Sequence, residues 1–285
     1  MTIKHVLVPL SSDVDTVSAL GASFLIARQF NAHLDATFYK FPLGGPVSLD
    51  TVGDISVEVI RDRAEAEDDQ AMAAQQLFKA GLEERRIAYH DAPLPATTPS
   101  AAWRVVSEAP FQGITRHGGA FDLIVVGRSK HDSARAPQDI IQAALFRTGR
   151  PVLVAPPDPP NTIGSTVLVG WNRSPQSVRA ILAASPFLEL AQKVVVFSVA
   201  TGAKQGPPAA EIGKHLDWHR IRNEVVEVPP DYRPVGEQVL EAAELRGADL
   251  VVMGAYSHSR LKELLLGGVT QHVLENATLA VLMMR

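Results

Sequence analysis

Asp122-Leu123-Ile124-Val125-Val126-Gly127 and Asp249-Leu250-Val251-Val252-Met253-Gly254 are one phrase written twice in a chain of 285 residues. Each is a short apolar run without polar alternation, closed by an acid at one end and a glycine at the other. A β-strand covered on both faces reads this way. The repetition extends outward: Val6-Leu7-Val8-Pro9 returns as Val167-Leu168-Val169-Gly170, and Val152-Leu153-Val154 as Val281-Leu282-Met283. The first pair is offset by 161 residues and the phrase by 127, so the first copy carries about 34 additional residues ahead of its fourth strand. They fall between about 42 and 75, where a Gly/Pro loop leads into the charged run Arg61–Gln70, which reads as a solvated helix face.

In the second copy the apolar runs lie near 166–170, 193–199, 224–229, 249–253 and 279–283. Helical spacing fills the gaps, as in Val178, Ile181 and Leu182, or Val239, Leu240 and Ala243. Strands alternating with helices imply parallel βαβ crossovers. The expected fold class is therefore α/β, with two tandem Rossmann-like domains, each an open five-stranded parallel sheet. The expected units are 1–156, carrying the insertion, and 166–285; a Pro-rich linker at 157–165 separates them, with Pro156-Pro157-Asp158-Pro159-Pro160-Asn161 too stiff for a helix.

Composition narrows the chemistry. With 27 Lys+Arg against 31 Asp+Glu the net charge is −4, which argues against broad capture of nucleic acid or anionic membrane. The absence of cysteine removes disulfides, thiolate nucleophiles, Fe–S clusters and thiolate zinc sites. The amino terminus lacks the long apolar stretch of a signal peptide, and no window approaches the ~20 apolar residues of a membrane span. A cytoplasmic location is expected.

The segment after Gly254 holds the candidate site. In an open parallel sheet the ligand crevice lies beyond the carboxyl ends of the strands. Gly254 lets a ligand approach the backbone; Gly267 and Gly268 open the next helix, whose free N–H groups and dipole attract phosphate. Ser257 and Thr270 add hydroxyl donors, while His258, Arg260 and Lys262 add charge. A helix ending at a Gly–Gly cap, with His258 and Arg260 in solvent, fits the same spacing.

With this loop, the βαβ repeat resembles a tandem universal stress protein, two UspA-type domains in one chain. Nucleotide-binding members of that family carry Gly, two residues, Gly, nine residues, then Gly followed by Ser or Thr. Here Gly254 fits the first position, Ser257 replaces the second Gly, Gly267 follows after nine residues, and Gly268 stands at the Ser/Thr position. Ser11 and Asn172 stand where ATP-binding members have an Asp after their first strand. In the first half Gly127 survives, but Arg128-Ser129-Lys130-His131-Asp132 follows and no Gly-Ser/Thr pair appears before Leu145, so that half reads as a degenerate partner.

The resemblance implies an adenine-nucleotide α-hydrolase-like fold and a non-enzymatic stress-response protein. It implies ATP or AMP, or another anion, in the second half, with Gly254, Ser257, His258, Gly267, Gly268, Val269 and Thr270 around the phosphates and Asn172 and Val199 near the base. It also implies that the halves pair through their last strands, near 152–155 and 280–283, as an intramolecular pseudo-dimer, with a homodimer as a further step. No metal is expected: His215 and His219 share a helix face at i, i+4, but Leu216 stands where a metalloprotease needs Glu, and no third ligand is marked. No Gly-x-Ser-x-Gly elbow, P-loop or Gly-x-Gly-x-x-Gly turn is present. A weak nucleotide hydrolase and a ligand-free interaction module, its crevice filled by Tyr256 and Trp171, remain as alternatives.

Overall fold

The structure, a computed structural model, describes residues 2–12, 14–42, 57–92, 98–128, 136–200, 206–255 and 268–285. The first half runs β1 (His5–Leu10), α1 (Thr16–Phe30), β2 (His33–Lys40), α2 (Val57–Arg85), β3 (Ala88–Tyr89), β4 (Ser100–Ser107), α3 (Pro110–His117), a 3-10 turn (Gly118–Ala120), β5 (Leu123–Val126), α4 (Ala136–Arg147) and β6 (Val152–Val154). The second half follows as β7 (Thr166–Gly170), α5 (Pro175–Leu190), β8 (Lys193–Val199), α6 (Ala209–Trp218), β9 (Asn223–Val228), α7 (Val235–Leu245), β10 (Leu250–Gly254), α8 (Gly268–Asn276) and β11 (Ala280–Met284). Strand and helix alternate in both halves, as the apolar runs require. The first half adds the two-residue strand β3, and its α2 is 29 residues long where α6 has 10.

All eleven strands join one sheet in the order β3-β4-β2-β1-β5-β6-β11-β10-β7-β8-β9. Nine of its ten strand pairings are parallel and lie within one half, and only β6–β11 is antiparallel, with Val281 opposite Val154, Leu282 opposite Leu153 and Met283 opposite Val152. The closing strands of the two halves therefore pair as the resemblance implies, and the two five-stranded cores fuse into a continuous sheet. Apolar layers on each face run through both halves. One holds Val6, Val8, Val167 and Val169; the other holds Leu7, Ile124, Leu168 and Val251. An edge contact between Phe30 and Phe187, rings 4.9 Å apart, and Arg285 stacked 4.3 Å over Phe146 add to the seam.

Local chemistry sets the helix ends. Asp15 caps α1 by accepting from the N–H groups of Val17 and Ser18, and Asn31 closes it in the left-handed conformation at φ 49°. Ser174 and Ser177 form a reciprocal cap at the start of α5, with Pro175 in the first turn, where its missing N–H costs nothing. Among the described residues, no helix is long and apolar enough to cross a membrane.

Candidate functional site

The acid and the glycine of the repeated phrase turn out to hold the frame of each half. At the amino end, the Asp249 carboxylate accepts from the Thr162 hydroxyl at 2.6 Å and from the backbone N–H groups of Gly164, Ser165 and Thr166 at 3.0–3.1 Å. Asp122 does the same for the first half, accepting from the N–H groups of Lys4 and His5 at 2.9 and 3.0 Å. Both carboxylates clamp the entry of the central strand to the strand beside it. At the carboxyl end, a Cβ on Gly254 would lie 2.5 Å from the backbone N of Ser177 and 2.7 Å from the backbone carbon of Gln176. Gly254 therefore admits the first turn of α5 against the strand end, a packing reason for glycine at this position. Gly127 is pressed in the same way by the backbone oxygen of Asp15.

Above this frame lies the switch point of the second half, between β7 and β10, where the strand order reverses and such a fold places its ligand crevice. Register places Gly170 beside Phe197 and Met253, so Asn172, Val199 and Gly254 lie at one end of the sheet. The Asn172 side-chain oxygen accepts from the N–H and hydroxyl of Ser174, at 3.2 and 2.6 Å. Val199 is half-buried beside it. The α8 helix starts at this end: Gly268 is exposed, Val269 is 36% exposed, and Thr270 is buried. A Cβ on Gly268 would meet nothing within 4 Å. Ser257, His258 and Gly267, like Tyr256, Arg260 and Lys262, lie outside the described residues.

Trp171 does not occupy the crevice mouth. It is 2% exposed, packs in the core layer with Val169 and Ala209, and donates its ring N–H to Pro207 O at 3.0 Å. The His215 and His219 rings touch at 4.8 Å across the exposed end of α6, and among the described residues no carboxylate joins them as a metal-ligand group. A cavity of about 920 Å³ lies elsewhere, between the linker and α7–α8, with Glu237, Glu241 and Glu244 on its wall. Glu237 and Glu241 of that wall are ion-paired with Arg233, at 3.8 and 2.8 Å.

The first half differs at the same place. Arg128, directly after Gly127, is 8% exposed and donates from Nη1 to Ala277 O of the second half at 2.6 Å. Among the described residues its Nε and Nη2 have no hydrogen-bond partner, and neither does the buried Ser11 hydroxyl. Burial pushes the guanidinium down to about 10, which still leaves it charged near neutrality. The backbone N–H of Asp15 also donates to Arg128 O at 3.1 Å, so main chain bridges the β1–β5 switch point. Sequence reasoning placed Arg128 in a degenerate loop. Only the strand register shows it turning inward, toward a residue 149 positions away.

These features define an α/β protein of two doubly wound halves, each with a switch point in its strand order and, in the second half, a helix start at the same end of the sheet. Residues 165–285 match the universal stress protein family, so the second half is a universal stress protein domain and the protein is universal-stress-protein-like. A universal stress protein from Archaeoglobus fulgidus DSM 4304 shares the fold over 98% of both chains, at TM-score 0.63 and 15% identity. A functionally unknown protein from Pseudomonas aeruginosa PAO1 covers 99% of this chain and 92% of its own, at TM-score 0.55 and 15% identity. A universal stress protein of Methanocaldococcus jannaschii is 37% identical over 49 residues, a stretch of 17% of this chain and 30% of that relative.

Proposed function

We propose that this protein is a non-enzymatic stress-response protein whose second-half crevice binds an adenine nucleotide, ATP or AMP, or a related anion. The observation that carries this reading is the convergence of Asn172, Val199 and the exposed start of α8 at one switch point, with open space at Gly268. Gly268, Val269 and Thr270 hold the phosphates through backbone N–H groups and a hydroxyl, with Ser257, His258 and Gly267 completing the cradle. Asn172 and Val199 face the nucleoside. Gly254 contributes by letting α5 approach, which sets the position of Asn172. In the same reading the units are 1–156 and 166–285, joined by 157–165, cytoplasmic and able to pair as a homodimer.

Asn172 offers an amide where metal-assisted hydrolysis needs a carboxylate, which favours binding without turnover. Calorimetry on the full chain with ATP, ADP and AMP tests this. One nucleotide per chain is expected, bound by the second half. No heat and no thermal shift at millimolar nucleotide sinks it, and phosphate release above a buffer control converts it into the hydrolase reading.

A further inference from the structure

At the other end of the strands, far from the crevice, the first half gathers three groups the function leaves unused. His5 opens β1 and His33 opens β2; they are register partners, so their side chains share one face of the sheet. Asp35 lies two residues further along β2, on that same face. One ligand atom from each of the three falls within 4.8 Å of the others. His5 Nε2 is 2.9 Å from Asp35 Oδ2, and His33 Nε2 is 3.9 Å from Asp35 Oδ1. We propose that His5, His33 and Asp35 form a binding site for one divalent transition-metal ion of the zinc type.

Two imidazoles and one carboxylate make a donor set that suits zinc and its neighbours in the transition series, not magnesium. Around an ion bonded at ~2.1 Å such donors stand about 3.4 Å apart, between the 2.9 and 3.9 Å separations present. Small side-chain rotations close the difference. The ring geometry is already set from behind: His33 Nδ1 meets the Ser100 hydroxyl at 2.8 Å, which leaves Nε2 turned toward Asp35. That is the arrangement by which an outer partner orients a metal-bound imidazole. Asp35 has a side chain only 7% exposed, and its Oδ1 lacks a hydrogen-bond donor although Arg104 Nε lies 3.3 Å away.

Access is open from one side. The His5 side chain is 40% exposed and that of Arg104 is 56% exposed, so water reaches the cluster and Arg104 is free to swing aside. The second half has no such site: Thr166 and Lys193 occupy the matching register pair, and the buried Val195 stands where Asp35 would be. An ion here joins the starts of β1 and β2, in the half whose crevice is degraded.

Zinc binding by the untagged full chain, measured by competition with a chromophoric chelator and by the visible spectrum of the cobalt form, tests this. One ion per chain is expected, undisturbed by excess magnesium. His5→Gln and His33→Gln should each weaken zinc at least tenfold, and Ser100→Ala on the order of tenfold through loss of ring orientation. His215→Gln should leave binding unchanged. His5 is exposed enough that its variant reports even where His33→Gln fails to fold. The site is overturned if zinc does not bind stoichiometrically at submillimolar concentration, if magnesium displaces it, or if binding follows His215 and ignores His5.

Discussion

The two halves share a frame and differ at what the frame presents. Asp122 and Asp249 clamp strand entries, and Gly127 and Gly254 admit the segment after the first strand. Past those glycines the halves part. The second half continues with buried Ala255 and leads to the exposed start of α8, whereas the first places a buried guanidinium that crosses to Ala277. A repeat can thus be retained for architecture while its copies diverge in chemistry. The part of the phrase that repeats most faithfully is the part that holds strand entries and helix starts in place.

The largest effect should come from breaking the frame in its stronger copy. Asp249 accepts from four donors and Asp122 from two. Asp249→Ala strands three backbone N–H groups at the linker exit, and a charged acceptor lost from such a cluster costs about 3 kcal/mol. Urea denaturation should show that loss, with Asp122→Ala costing roughly half as much. Equal losses would mean that the clamp is not what distinguishes the two ends.

Close behind is Gly254→Ala, where the added methyl collides with backbone atoms that cannot rotate away. Overpacking of this kind costs about 2 kcal/mol. Gly127→Ala should behave alike, because the oxygen it would meet is also main chain. If either variant keeps full stability, the close approach is not a constraint and the glycine would have to be explained by ligand contact after all.

Much of this architecture is legible in residues 249–254 alone, because an unalternating apolar run between an acid and a glycine fixes a doubly covered strand and its ends. All five strands of the second half fall within a residue or so of the apolar runs. The roles of the acid and the glycine are not legible. Asp122 acts on Lys4 and His5, more than a hundred residues earlier, and nothing local marks that pairing. The short edge strand β3 was missed for a related reason: Ala88 and Tyr89 are strand only because β4 lies beside them. Arg128 reads as one more charge in a loop until the β6–β11 pair brings Ala277 to it. The cluster of His5, His33 and Asp35 needs both the parallel register and the sheet face, neither of which a linear spacing carries. Of the crevice, the glycine positions were visible; the engagement of Asn172 by Ser174 was not.

Arg128→Met should move stability much less. The variant loses one hydrogen bond to Ala277 O but relieves a buried charge whose Nε and Nη2 find no partner among the described residues. Replacing buried charge with an apolar side chain of similar length is often neutral or stabilising. A midpoint unchanged or slightly raised in urea is therefore expected. A loss above about 2 kcal/mol would show instead that an anion satisfies the guanidinium in solution, which would make the first half less degenerate than its loop reads.

The smallest effect sharpens the comparison where it concerns ligand. Gly268 stands at the position where nucleotide-binding relatives are expected to carry a hydroxyl, and a Cβ there meets nothing within 4 Å. Gly268→Ser therefore fits without displacing a neighbour. It also restores a donor at the start of α8, where anions are favoured by about 0.3–1 kcal/mol through the helix dipole alone. One added hydrogen bond to a phosphate gives on the order of 1 kcal/mol, so ATP affinity measured by calorimetry should rise a few-fold. Gly268→Glu, which fills the same space with negative charge, should abolish binding with the fold intact. If serine and glutamate leave affinity alike, the start of α8 does not touch the phosphates. The crevice would then differ from the first half in shape and not in what it holds.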